Sequence, residues 1–209
     1  MRGRDLSSFV QAAQAAVQAQ VPLPPGYYLE WSGQFRNLQT AVARLEIVVP
    51  VMLALIFLLL VMALGELGLA SLVFVNLPFA ATGGILALYL RGMPFSISAG
   101  VGFIALFGVA TMNGLVLVSY MRDLKKEGAT PFRAAVAAVR DRFRPVMATA
   151  TVACLGFFPM AFSMSEGAEV EKPLATVVIG GLVSCTFLTL LVLPTLYAAL
   201  YGRERKKRA

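Results

Sequence analysis

Residues 108–121 read GVATMNGLVLVSYM, an apolar run that holds one amide, Asn113, beside Met112, Thr111 and Ser119. A second stretch, RPVMATAT, carries Thr149, and a third, GGLVSCTFLT, carries Ser184, Cys185, Thr186 and Thr189. Amides and hydroxyls donate and accept hydrogen bonds, but none of these groups takes up a proton at neutral pH. Histidine is absent from the chain. That removes histidine metal sites, Ser-His-Asp and Cys-His catalysis, and histidine proton relays. With no buried acid pair either, intramembrane protease chemistry lacks its bases, and the chain reads as a non-enzyme without a cofactor. Cys154 and Cys185 lie inside apolar segments and read as small buried hydrophobes rather than a disulfide or a metal pair. The nine methionines are scattered, and only Met160 and Met164 stand at i, i+4, a spacing that reads as packing. No metal ligand set is predicted.

The elements that must position these groups are membrane spans. The chain has 209 residues, 58% hydrophobic and 14% charged, with a mean hydropathy of +0.77. Soluble domains are about 45–50% apolar and about 25% charged, so an all-α polytopic membrane protein is predicted. A crossing needs about 20 mainly apolar residues. Five segments qualify, at about 47–64, 69–90, 97–121, 145–164 and 174–201, none with a charge in its interior. The net charge is +7. Its basic residues cluster beside apolar runs, which reads as topology and membrane lipid rather than nucleic acid. Residues 122–144 carry seven Lys and Arg, and the basic tail 202–209 carries five. The positive-inside rule puts both in the cytoplasm and, counting back across five spans, the N-terminus outside. MRGRDLSSFVQAAQ has no hydrophobic run after its arginines, so no signal peptide is predicted and a fragment is the simpler expectation.

Residues 1–45 then read as an outer segment, helix–strand–helix. Phe9, Val10, Ala13 and Val17 mark the first helix, PLPPG breaks it, YYLEWSG is the strand, and QFRNLQTAVARL is the second helix. Such a short α/β piece cannot close a core by itself. Residues 130–143 read as an amphipathic connector lying on the inner surface, started by Thr130 and Pro131, with Phe132, Val136, Val139 and Phe143 on one stripe. Within the spans, Pro145, Thr149, Ala153, Gly156, Met160 and Ser163 share one side of span four. Gly100, Gly108, Thr111 and Ser119 share an arc of span three, with Met112 at its edge and Asn113 pointing the opposite way. Span five adds Gly180, Gly181, Ser184, Thr186 and Thr189, and span two adds Asn76, Pro78, Gly83 and Gly84. Helix packing is the commonest use of such faces. A relay or path is the alternative, because polar residues at depth often mark one.

Several stretches, in order, carry a family resemblance: RGRDLSSFV, LPPGYYLEWSGQF, NLPFAATGG, GFIALFGVATMNGLVLVSY, RFRPVMATATVACLGFFPMAFS, GAEVEKPLATVVIGG and LLVLPTLY. Together they resemble the C-terminal end of resistance-nodulation-division (RND) efflux permeases of the heavy-metal branch, cobalt-zinc-cadmium type. The resemblance implies a homotrimeric inner-membrane antiporter with twelve helices, exporting cations in exchange for protons. Its implied partners are a periplasmic adaptor and an outer-membrane channel. This chain is similar to the end of the second periplasmic porter subdomain followed by the last five helices, so its N-terminus would be periplasmic and its C-terminus cytoplasmic. In the family the proton-binding acids lie on the fourth helix, to which nothing here corresponds. The resemblance places Thr149, Met112 and Asn113 beside the relay. Met112 matches a position that holds lysine in drug exporters and glutamate in copper/silver exporters, and Val146 matches a copper/silver-branch lysine. Uncharged residues at both favour divalent zinc, cobalt, nickel or cadmium. With no intramembrane carboxylate and an incomplete porter cleft, no transport by the chain alone is expected. The alternatives are a truncated subunit packing with full-length protomers, or the drug- or lipid-exporting branch.

Overall fold

In a computed structural model the described residues are 6–20, 34–164 and 168–207, and every regular element among them is a helix. The helices are α1 (Leu6–Gln20), α2 (Gln34–Leu64), α3 (Leu67–Phe74), α4 (Asn76–Leu90), α5 (Ile97–Lys126), α6 (Pro131–Phe162) and α7 (Ala168–Lys207). The chain forms two compact units, Met1–Val49 and Pro50–Ala209. In the first, α1 buries Val10. The strand expected at YYLEWSG lies outside the described residues, so the helix–strand–helix reading rests on its helices alone.

Five stretches are long and apolar enough to cross a membrane: Ala43–Leu64, Leu67–Leu90, Ile97–Lys126, Pro131–Phe162 and Val170–Gly202. The second is not one helix. Pro78 has no N–H to offer the carbonyl of Phe74 four residues back, and its ring crowds that carbonyl. The hydrogen-bond ladder is accordingly interrupted at Val75, whose backbone stays in the right-handed helical region, and α4 starts at Asn76. The stretch 130–143 forms the first turns of α6, which runs on to Phe162, and its Phe132, Val136 and Phe143 are exposed. Thr130 caps the start by accepting from the N–H of Arg133 at 3.4 Å, and Pro131 occupies the first turn. Pro145 removes one hydrogen bond without ending the helix.

Helix α7 is the axis of the second unit, because α4, α5 and α6 all pack on it. It runs antiparallel to α4, with Asn76 beside Thr189 and Arg91 beside Thr176. It runs parallel to α5, with Gly102 against Leu174 and the hydroxyl of Tyr197 on the carbonyl of Met121. Two apolar clusters result. One joins Leu60, Leu69, Val73, Leu117, Met121 and Tyr197, and the other joins Leu77, Phe103, Leu106, Val177, Leu182 and Cys185.

Arginines tie the helix ends. Arg122 donates to the carbonyl of Leu64, the last residue of α2, at 2.9 Å. Arg91 donates to the carbonyl of Ala161 in the last turn of α6 at 2.8 Å and to the hydroxyl of Thr176 at 2.6 Å, and lies 5.1 Å from the ring centre of Phe162. Carbonyls in a last turn have no partner within their own helix, so a guanidinium fork from α4 closes α6 and holds α7 at once. Arg91→Ala is expected to lower stability by about 1–2 kcal/mol, since the site is partly open to solvent. Arg91→Lys should recover less than half of that, because a single ammonium cannot serve both acceptors in one plane. Thermal unfolding in detergent reads both, and an Arg91→Ala protein as stable as the parent would refute the clamp.

Candidate functional site

The small and polar residues of α4, α5, α6 and α7 divide into two sets. The first is sealed. At Gly83 an added Cβ would collide with Ser184, at Gly180 with Ala87, and at Gly181 with Leu106. Gly102, Gly84 and Gly114 are similarly closed by Leu174, Phe103 and Val73. Gly100 is buried as well. These residues let α7 approach α4 and α5 closely.

The second set is open. An added Cβ at Gly108 or Gly156 meets nothing within 4 Å. Met112 is 55% exposed, and Thr149 is exposed with its hydroxyl turned back on the carbonyl of Val146 at 3.0 Å. Thr111 and Ser119 also bond within their own helix, to the carbonyls of Phe107 and Val116. Ala153 is half-buried, packed beside the Phe103–Leu182 cluster. Helix α6 is accordingly buried over only 17% of its most apolar window, against 56% for α7. The arc of Gly100, Gly108, Thr111 and Ser119 is therefore not one interface: its first member is sealed and Gly108 faces outward.

Asn113 falls in neither set. It is 5% exposed, inside the bundle, and its amide nitrogen meets no hydrogen-bond partner among the described residues. Near it on α4 and α7 is a polar cluster that no single span reveals. Asn76, the first residue of α4, donates to the hydroxyl of Thr189 at 2.6 Å and to the thiol of Cys185 at 3.4 Å. The sequence supplies each of these residues as a polar outlier in an apolar run. Their meeting depends on the antiparallel register of α4 and α7, which the sequence does not state.

The chemistry available here is neutral. No group of three or more Cys, Asp or Glu that could hold a metal ion occurs among the described residues. Neither the open face nor the Asn76 cluster includes an acid, so both can shape and hydrogen-bond a path but cannot store its proton. The charged groups gather where α5 and α6 join and at the end of α7. There the hydroxyl of Tyr120 donates to Asp141 at 2.8 Å, Arg142 lies over the Tyr120 ring, and the hydroxyl of Tyr201 donates to Glu66 at 3.2 Å.

Comparisons with known proteins fit this layout. The AcrB/AcrD/AcrF family matches residues 1–201. The chain is 53% identical over 204 residues to the cobalt-zinc-cadmium resistance protein CzcA of Cupriavidus metallidurans, covering 98% of this chain and 19% of that protein. It is also 53% identical over 206 residues to the nickel and cobalt resistance protein CnrA of the same organism, covering 99% of this chain and 19% of that protein. Among solved structures, an X-ray structure of a heavy metal efflux pump superposes with a TM-score of 0.79 at 43% identity, over 95% of this chain and 20% of that one. The chain thus spans about a fifth of the length of the relatives it matches.

Proposed function

The chain belongs to the AcrB/AcrD/AcrF family, and on that footing we propose that it works as the C-terminal share of a proton-driven efflux permease for divalent heavy-metal cations. The observation that carries the proposal is 53% identity, along nearly the whole chain, to proteins named for cobalt, zinc, cadmium and nickel resistance. The open face of α5 and α6 supports it. Small and hydroxyl residues such as Gly108, Thr149 and Gly156 are the sort that seat a further helix, Met112 is exposed beside them, and among the described residues an added Cβ at either glycine meets nothing within 4 Å. In this reading the proton-binding acids reside on that further helix, and Thr149 and Met112 border them without titrating. Residues 122–144 and the tail 202–209 lie on the cytoplasmic side of the inner membrane, where their lysines and arginines favour them. The remaining parts are the rest of a pump chain, a trimeric assembly, and adaptor and channel partners.

A chimera tests the proposal. The last fifth of the cobalt-zinc-cadmium resistance protein CzcA is replaced by this chain, and zinc, cobalt and cadmium export is measured. Export within about threefold of the parent is expected, a barrier change below 1 kcal/mol. A chimera that assembles but exports none of the three ions would sink the reading. The chain reconstituted by itself in inverted vesicles should take up no more zinc under a proton gradient than empty vesicles do, because none of the apolar runs 47–64, 69–90, 97–121, 145–164 and 174–201 holds a carboxylate to protonate.

A further inference from the structure

The amide of Asn113 and the hydroxyl of Thr186 pose a problem that the pumping proposal does not solve. Asn113 is 5% exposed and Thr186 is 3% exposed, and neither Asn113 Nδ2 nor Thr186 Oγ1 meets a hydrogen-bond partner among the described residues. Both atoms are already sealed by this chain's own helices, so a helix docking from outside cannot reach them. Buried donors of this kind are paired in native proteins, and where no side chain or backbone group serves, an ordered water does.

The register indicates what surrounds Asn113. Helices α5 and α7 run parallel, with Leu106 against Gly181 and Met121 against Tyr197. Asn113 lies two helical turns beyond Leu106 and so falls on the same α7-facing stripe. Interpolating between those two contacts puts it level with the turn of α7 that bears Cys185 and Thr189. On the α4 side, a Cβ added to the adjacent Gly114 would lie 3.9 Å from the amide nitrogen of Asn76. Asn76 commits its amide donors to Thr189 and Cys185, which leaves its carbonyl oxygen as the acceptor of the cluster.

We propose that internal water molecules are the partners of Asn113 and Thr186, the one at Asn113 linking it to the Asn76–Thr189–Cys185 cluster beside the break between α3 and α4. The bundle then contains a hydrated polar seam that is separate from the open face of Thr149 and Met112. A break in a spanning helix is a place where freed backbone groups are commonly satisfied by water.

The test uses the full chain in lipid bilayers, one sample with asparagine as the only 15N label and a second with 15N-leucine, whose Leu106 and Leu117 supply the buried α5 backbone amides for comparison. The sequence has three asparagines, Asn37, Asn76 and Asn113, and Asn113→Ser identifies the signal of interest. In solid-state NMR, water-to-amide magnetisation transfer to the Asn113 side chain should be about tenfold faster than to backbone amides of buried α5 turns. Transfer as slow as at those amides would overturn the site at Asn113. For Thr186, the isosteric Thr186→Val should leave the unfolding temperature unchanged or lower it. A clear rise would mean that the hydroxyl has no partner and would overturn the second half of the proposal.

Discussion

Gly83→Ala and Gly180→Ala are each expected to destabilise the second unit by about 2–3 kcal/mol, the upper part of the usual range for overpacking. The reason is backbone against backbone. A Cβ on Gly83 would lie 2.8 Å from the carbonyl oxygen of Gly180, and a Cβ on Gly180 would lie 2.9 Å from the carbonyl oxygen of Gly83. Side chains that obstruct a new methyl can rotate away; these two carbonyls belong to the helices themselves. Relief requires α4 and α7 to separate, which also pulls apart the bond from Ser184 to the carbonyl of Phe79 and the bond from Asn76 to Thr189. Alanine returns about 1 kcal/mol of helix propensity over glycine, already counted in the net figure. The two positions share one contact, so the double variant should cost less than the sum of the singles. Thermal unfolding in detergent decides it, with Gly108→Ala and Gly156→Ala as references. Those two gain the propensity term and meet nothing. A Gly83→Ala protein as stable as Gly156→Ala would mean that α4 and α7 are not joined as described.

This contrast also marks what the amino-acid sequence can and cannot express. Apolar length and the placement of Lys and Arg suffice to find the apolar stretches, because each is a property of one contiguous segment. The break at Val75 was equally local, since Pro78 stands four residues after Phe74, yet the uninterrupted hydrophobicity of 69–90 hides it. The helix at 130–143 is read from its cap and its apolar stripe, but its continuity with the following span is not, because a helix has no need to stop where the solvent changes. The small residues are the instructive case. Gly156 and Gly180 look alike on a helical wheel, and only the pairing of segments far apart in the chain makes one sealed and the other open. The same holds for Asn76, Cys185 and Thr189: each polar group is visible, and their union is a product of register.

Bulk placed on the open face should separate folding from transport. Gly108→Leu and Gly156→Leu are expected to leave the stability of the chain unchanged or raise it by up to about 1 kcal/mol, since each removes a helix-interior glycine at a position where an added Cβ meets nothing within 4 Å. In the chimera with the longer relative, the same substitutions should reduce zinc export by at least about 30-fold, a loss near 2 kcal/mol and typical of overpacking a close helix contact. Thr149→Val is the milder companion. It keeps the side chain's shape and removes a hydroxyl that already bonds to the carbonyl of Val146, so its effect on stability should be small. Its effect on export then reports whether that hydroxyl turns outward to a group on the covering helix. The decisive comparison is between the two settings. If Gly156→Leu lowers export while the chain itself unfolds at the parent's temperature, the face is an interface with the rest of a pump. If export is untouched, the face meets lipid, the relay lies elsewhere, and the positions of Met112 and Thr149 lose their claim to border it.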